Sequence, residues 1–200
     1  MNAWKNGFLL ACLIALALGE IGACLAFASN SLDFITRNHN AQAARFSRSR
    51  PLELPAILRF GSGQMDARKF GDGWNPPEPA GAWSARNDAW ILIDLVPKVS
   101  NVWLRLDASV FTSIGSSRNR IDVSVNGTLL ASLDRTSANA DEPIEVRIPG
   151  ALVQSGQLDL KLHVDRCVSP LREGSGMDPG WRGVLLKAIE VRSQHEPDRQ

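Results

Sequence analysis

The sequence predicts an all-β protein, a jelly-roll-like antiparallel β-sandwich preceded by one N-terminal transmembrane helix. From about residue 51 onward, apolar residues recur with a period of two, and Gly, Pro, Asn and Ser separate the runs. Residues 7–28 form an apolar run long enough to cross a bilayer. We therefore divide the chain into a membrane anchor or signal segment at 1–30, a basic tether at 31–52, a sandwich domain at 53–193 and a disordered tail at 194–200.

The N-terminal run has three interpretations, and all of them place the rest of the chain outside the cytoplasm. An uncleaved anchor in a bacterial inner membrane, with the domain in the periplasm, fits the length of the run. Residues 26–28 read Ala-Phe-Ala, a site at which a secretory signal is cut. Residues 21–24 read Ile-Gly-Ala-Cys, which resembles a lipoprotein box and would make Cys24 the lipidated residue.

Glu20 interrupts the apolar run and is a candidate for contact with a membrane partner. A carboxylate inside a span costs roughly 2–3 kcal/mol on insertion scales, so an isolated helix gains nothing from it. Gly19 and Gly22 would let a second helix approach closely enough to pair with the carboxyl group. The alternative is a protonated Glu20 without a partner.

Eight strands are predicted in the domain, beginning with one near Ala56–Phe60. The second, at 89–95, is apolar on both faces, as expected of a central strand. Asn126-Gly127 lies between two alternating runs and predicts a tight hairpin. The remaining predicted strands cover residues 102–110, 121–125, 128–133, 144–148, 158–164 and 184–191.

Charge and cysteine content exclude several classes of function. Residues 51–200 contain 17 Lys and Arg against 19 Asp and Glu, a net charge of −2. An electrostatic nucleic-acid-binding protein needs a clustered basic face, so nucleic acid is not an expected partner. Cys167 is the one cysteine outside the apolar run, which leaves no internal disulfide and no zinc spacing. We predict that Cys167 is a small buried hydrophobic residue, and we predict no metal and no cofactor.

Residues 70–74 read Phe-Gly-Asp-Gly-Trp, residues 77–84 read Pro-Glu-Pro-Ala-Gly-Ala-Trp-Ser, and an apolar strand follows. This stretch, residues 70–95, resembles the opening of a galactose-binding-like β-sandwich module associated with bacterial membrane glycosyltransferases and cell-envelope polysaccharide proteins. Later matching segments extend the resemblance over about residues 58–192. The chain departs from the module at 178–183, where it reads Asp-Pro-Gly-Trp-Arg-Gly. Arg182 therefore lies two positions after the place where the module often has its first arginine. The resemblance implies a non-catalytic accessory domain.

The candidate carbohydrate-binding residues are loop aromatics and the polar side chains beside them. Indole rings pack on the apolar C–H faces of sugars, and carboxylates, amides or guanidinium groups bind the hydroxyls at the edges. Trp90 is expected in the core, and Trp103 is expected on the polar face of its strand. The candidates are Trp74, Trp83, Glu78, Arg86, Asp178, Trp181 and Arg182, with Asp72, Asn75 and Asn87 as further polar groups of the same loops.

Three functions are compatible with these features. The favoured one is a membrane-anchored, periplasm-facing accessory protein of envelope polysaccharide biosynthesis or export that binds a polysaccharide or oligosaccharide. The second is a structural subunit that docks on a membrane glycosyltransferase or exporter through Glu20 and touches no glycan. The third is a sugar-active hydrolase, with Glu78 and Asp178 as its acid and base.

Overall fold

The structure, a computed structural model, describes residues 51–64, 66, 69–96, 101–112 and 117–193. The predicted anchor with Glu20, residues 31–50 of the predicted tether, and the tail lie outside these residues, so the predictions made for them remain predictions. Within the described residues, no helix has the length and apolar character needed to cross a membrane.

The described chain is built almost entirely of antiparallel strands, which confirms the predicted all-β sandwich. Two four-residue helices, α1 (Gly150–Val153) and α2 (Pro170–Glu173), lie in connections. The strands are β1 (Ala56–Arg59), β2 (Ala82–Trp83), β3 (Asp88–Asp94), β4 (Val102–Val110), β5 (Arg118–Val125), β6 (Thr128–Thr136), β7 (Ile144–Ile148), β8 (Gln157–Val164) and β9 (Val184–Ser193).

These strands form two sheets that share one apolar core. The first sheet has the order β1-β9-β4-β7, with β2 also paired to β9, and the second has the order β3-β8-β5-β6. In β4, Val102, Leu104 and Leu106 are buried, while Trp103 and Arg105 point to the outer face. Each fully buried aliphatic side chain of this kind contributes about 1.5–3 kcal/mol. The period-two pattern read from the sequence is therefore the alternation between core and outer face.

Cys167 belongs to this core, as predicted. Its side chain is buried among the apolar residues of both sheets, and burial raises the pKa of the thiol to about 11. The thiol therefore stays protonated at neutral pH and packs as a small apolar group.

The prediction that the strand at 89–95 is central is wrong, as is the core position of Trp90. β3 lies at the edge of its sheet, and residues 70–74 cover its open side. The Gly71 N–H donates to the Trp90 carbonyl at 2.8 Å, and the Trp90 N–H donates to the Asp72 carbonyl at 3.0 Å. Trp90 is partly buried on the outer face of its sheet, in register with Lys161. The loop at 70–74 therefore occupies the hydrogen-bonding edge of β3 in place of a further strand.

Gly73 explains why the loop before β3 needs glycine. Its φ is +89°, and a Cβ built on it would lie 2.1 Å from the Asp88 carbonyl oxygen. Any side chain there would collide with backbone that cannot move without breaking the cover on β3. The Gly-Trp sequence thus brings Trp74 onto the sandwich edge.

Asn126 and Gly127 form the predicted hairpin turn between β5 and β6. Both have positive φ, +50° and +79°, as the tight hairpin turn requires. The Asn126 amide also donates to the carbonyls of Leu152 and Gln157 at 2.7 and 3.0 Å, and its oxygen accepts the Asp159 N–H at 2.8 Å. One side chain therefore links the hairpin to the α1–β8 connection.

Replacing Asn126 with Ala should destabilise the fold by about 2 kcal/mol, because three backbone groups lose a partner and Ala tolerates positive φ less well. Urea unfolding followed by circular dichroism measures the change. Ser137→Ala, in the exposed turn after β6, is the control and should unfold like the parent protein. Equal midpoints for Asn126→Ala and the parent would contradict this role.

Candidate functional site

Two segments that are distant in sequence meet beside β2. We call residues 74–83 segment A and residues 168–182 segment B. The Asn75 amide donates to the Trp181 carbonyl at 2.7 Å, and the Arg182 guanidinium reaches the Glu78 carboxylate at 3.5 Å. Among the sequence-predicted residues, Trp83, Glu78, Asp178, Trp181 and Arg182 are brought together by this junction.

Arg182 lies at the centre of the junction and is held from three sides. Its guanidinium forms an ion pair with Asp178, with Nε 2.8 Å from Oδ2. The same guanidinium contacts Glu78, and its Cζ lies 4.8 Å from the centre of the Trp83 ring. Because only 20% of the side chain is exposed, Arg182 is fixed before any ligand arrives.

Asp178 is held as a carboxylate. The ion pair with Arg182, together with the Gly180 N–H that donates to it at 2.7 Å, lowers the pKa of Asp178 from its ordinary value. A glycosidase acid needs a carboxyl group with a raised pKa. Asp178 therefore does not fit the role of general acid, and it acts as a hydrogen-bond acceptor.

Trp83 and Glu78 are positioned by the turn that leads into β2. Glu78 and Gly81 exchange backbone hydrogen bonds of 2.7 and 3.1 Å across this turn. Gly81 has a φ of +148°, and a Cβ there would lie 2.4 Å from the Leu186 carbonyl oxygen, so only glycine lets β2 approach β9. The Trp83 ring packs edge-on against Phe111, with centroids 6.0 Å apart.

Trp181 is the exposed aromatic of the junction, with 42% of its surface accessible. The Arg172 Cζ lies 5.3 Å from the centre of its ring, a cation–π contact. Segment B is braced beneath it by the buried Ser169, whose hydroxyl donates to the Pro179 carbonyl at 3.0 Å. The indole is therefore presented to solvent on a loop held by its own hydrogen bonds.

Trp74 and Arg86, the other two predicted residues, lie outside this set of contacts. Trp74 stacks on Phe70 at 4.5 Å between centroids, and its indole N–H donates to the Trp90 carbonyl at 2.7 Å. This places Trp74 in the packing at the sandwich edge. Arg86 pairs with Asp72 at 3.2 Å and takes no part in the contacts that join Arg182, Asp178 and Glu78.

Sequence reasoning missed Arg172 and Phe111. Arg172 lies in a loop where no pattern marks which ring it will meet. Phe111 follows β4, far from Trp83 in sequence, and only the pairing of β4 and β2 with β9 brings the two rings together. Neither residue carries a local signal that would have found it.

Comparison with known proteins assigns no family to the chain. No family model matches it, and no curated protein matches it. Several solved structures match the chain at low sequence identity, among them three with TM-scores of 0.32 to 0.41.

Three of these structures come from carbohydrate-active proteins. A family GH115 4-O-methyl-α-glucuronidase with specificity for decorated arabinogalactans has a TM-score of 0.41 and 12% identity, over 59% of this chain and 15% of that one. A carbohydrate-binding module of Cellvibrio mixtus lichenase 5A, solved with cellotriose, has 0.36 and 8%, over 72% and 100%. A family 35 carbohydrate-binding module from an environmental isolate has 0.32 and 16%, over 72% and 89%.

Replacing Arg182 with Gln should raise the pKa of Asp178 towards its ordinary value, because the strongest group that stabilises the carboxylate is removed. Carboxyl-carbon NMR titration measures this pKa. In the parent protein, the lowered pKa of Asp178 stabilises the fold at any pH above the pKa that Asp178 has in the unfolded chain. This stabilisation is lost as the pH falls through the pKa that Asp178 has in the folded protein. Acidification should therefore destabilise the parent more than Arg182→Gln.

Arg86→Gln is the matched control, since it removes an arginine whose partner is Asp72. The pKa of Asp178 should not change in this variant. If it also failed to change in Arg182→Gln, the Arg182–Asp178 contact would not be the cause of the lowered pKa.

Proposed function

We propose that the chain is a non-catalytic carbohydrate-binding protein whose site is the junction of segments A and B. The observation that carries this proposal is the fixed cluster of Arg182 with Asp178 and Glu78, which lies against the Trp83 ring. The exposed Trp181 directly precedes Arg182 in the chain, and its backbone carbonyl accepts the Asn75 amide. An aromatic ring beside oriented donors and acceptors is what a sugar requires, since its rings have apolar faces and hydroxyl edges.

Each polar group has a defined part in this proposal. The Glu78 carboxylate is 49% exposed and accepts hydrogen bonds from sugar hydroxyls, while Asp178 and Arg182 keep their positions through each other. Because Arg182 is already ordered, ligand binding costs little conformational entropy at this residue. Trp181 supplies the accessible ring face.

We place this binding function in cell-envelope polysaccharide biosynthesis or export, with the domain held at a bacterial inner membrane and facing the periplasm. This part of the proposal rests on the apolar run at 7–28 and on the resemblance of residues 70–95 to glycosyltransferase-associated modules. A secreted form or a lipoprotein anchored through Cys24 remains compatible with the same binding site.

A second proposal is a structural subunit that docks on a membrane glycosyltransferase or exporter without touching glycan. The outer face of the first sheet favours it. Trp103 lies there in register with Arg147 and Arg192, and Arg192 stacks on its ring at 5.4 Å. A groove of about 520 Å³ beside Arg192 is lined by Ile57, which is 55% exposed.

A Glu20→Leu variant that still assembled with its membrane partner would remove the intramembrane part of this proposal.

Replacing Trp181 with Ala should weaken glycan binding by about 5-fold to 150-fold, because stacking on an exposed indole contributes roughly 1–3 kcal/mol by analogy with base stacking. Isothermal titration of the full chain with envelope polysaccharide from its source cell measures the affinity. Trp83→Ala should also weaken binding, since the ring supports Arg182.

Trp103→Ala is the control, because it removes a half-exposed indole on a different surface. Its glycan affinity should equal that of the parent. Loss of binding in Trp103→Ala with retention in Trp181→Ala would move the site to the outer face of the first sheet.

A further inference from the structure

We infer, on the basis of the proposed membrane setting, that the end of the sandwich opposite the candidate glycan site rests on a lipid surface. We call this end the entry cap and define it as residues 51–55, 95–96, 126–129 and 149–156. Its occupant is the headgroup region of a phospholipid bilayer, and the junction of segments A and B then faces away from that bilayer.

The first step is the place of the entry cap in the fold. The Leu52 N–H donates to the Asp94 carbonyl at 2.7 Å, and the Val96 N–H donates to the Leu52 carbonyl at 3.2 Å, so the described chain begins where β3 ends. β9 runs from Val184, beside segment B, to Val191, beside the start of β1. A rise of about 3.3 Å per residue puts these two positions roughly 23 Å apart. The entry cap and the junction therefore lie at opposite ends of the strands.

The second step is the chain that precedes the entry cap. Residues 29–50 connect the apolar run at 7–28 to Pro51, so the cap is the part of the described domain to which this run is joined. A run of this length crosses a bilayer as a helix. A lipid surface is then held close to the cap by the chain itself, and such a tether lets weak contacts be occupied because the effective concentration is high.

The third step is the charge of the entry cap. Glu53 is the one charged residue in its four segments. The connections at the other end, residues 84–87, 137–143 and 165–183, contain nine: Arg86, Asp141, Glu142, Asp165, Arg166, Arg172, Glu173, Asp178 and Arg182. Ionised side chains lose hydration at the boundary between headgroups and acyl chains, so the end with few of them is the less costly one to place there.

The fourth step is the apolar surface of the entry cap. Val96 and Leu129 are 41% and 57% exposed, and Pro51, Pro149 and Ala151 are exposed beside them. Segment B also has exposed apolar side chains, but charged residues interrupt them in sequence. Apolar side chains without neighbouring charges are what a protein surface needs to enter the headgroup region.

The fifth step is the hydrogen bonding of the cap's backbone. Polar backbone groups placed against lipid need partners within the protein. The Leu95 N–H donates to the Gly156 carbonyl at 2.6 Å, and the Gly150 N–H donates to Asn101 Oδ1 at 2.9 Å. Asn126 holds its own turn against the α1–β8 connection. These bonds join the segments of the cap to one another, so contact with lipid requires no loop to refold.

The test is NMR of the full chain in nanodiscs of phosphatidylethanolamine and phosphatidylglycerol, with and without a lipid that carries a nitroxide on its headgroup. The nitroxide broadens the signals of nearby amides. We expect the amides of Val96, Gly127 and Ala151 to lose most of their intensity, while those of Gly174 and Trp181 in segment B keep theirs. Because the cap has little charge, the loss should be the same at low and high salt.

Two variants assign the contact to the entry cap. Val96→Glu and Leu129→Glu each place a carboxylate on its exposed apolar surface, and each should reduce the broadening of the cap amides. Met177→Glu is the matched control, because Met177 is 89% exposed but lies in segment B, and it should leave the broadening unchanged. Circular dichroism melts check that each variant is folded.

The outcomes separate this inference from the proposed glycan binding, which is measured by titration. If the nanodisc-bound protein shows no broadening of the cap, or broadening confined to segment B, the inference is overturned and glycan binding stands. Unchanged broadening in both Glu variants would overturn it as well. A folded full chain that does not stay with the nanodiscs would overturn both the inference and the proposed membrane setting.

Discussion

The Arg182 guanidinium is the contact on which the candidate site depends. It joins Asp178, four residues before it in segment B, to Glu78 of segment A, which is 104 residues from Arg182 in sequence, and it lies against the Trp83 ring. Removal of this one group would leave two carboxylates close together without a cation and an indole without its cover. Arg182 therefore holds both the two carboxylates of the site and the Trp83 ring in place.

The sandwich makes this contact possible by fixing both segments to the same strand. β2 forms the end of segment A and pairs with β9, and β9 begins at Val184, just after segment B ends. The buried Ser84 reinforces this pairing, because its N–H donates to the Val184 carbonyl at 2.7 Å and its hydroxyl accepts the Val184 N–H at 3.0 Å. The pairing of β2 and Ser84 with β9 therefore fixes the positions of segments A and B relative to the core.

Much of the fold could be predicted from the sequence, because residues that alternate between apolar and polar along a strand also alternate between the core and the outer face. The strands β4 and β7 have the predicted bounds, and Asn126-Gly127 forms the predicted turn. With the short β2 set aside, the eight long strands follow the orders 1-8-3-6 and 2-7-4-5, which supports the jelly-roll interpretation. The edge position of β3 was not predictable, because the strand is apolar on both faces although a loop, and not a further strand, pairs with its open side. Residue type also identified Trp83, Glu78, Asp178, Trp181 and Arg182 as candidates. The contacts that bring them to one junction, and the contacts of Arg172 and Phe111 with the rings of Trp181 and Trp83, depend on the tertiary fold and carry no local sequence signal.

The most direct test of carbohydrate binding at this junction is a two-dimensional NMR titration that follows the indole N–H signals of the full chain. On addition of the bound glycan, the signals of Trp181 and Trp83 should shift together and saturate at one affinity. The Trp74 signal should not move, because its N–H donates to the Trp90 carbonyl within the sandwich edge. Saturable shifts confined to Trp103, or no shift of any indole in the folded protein, would contradict a glycan site at the junction of segments A and B.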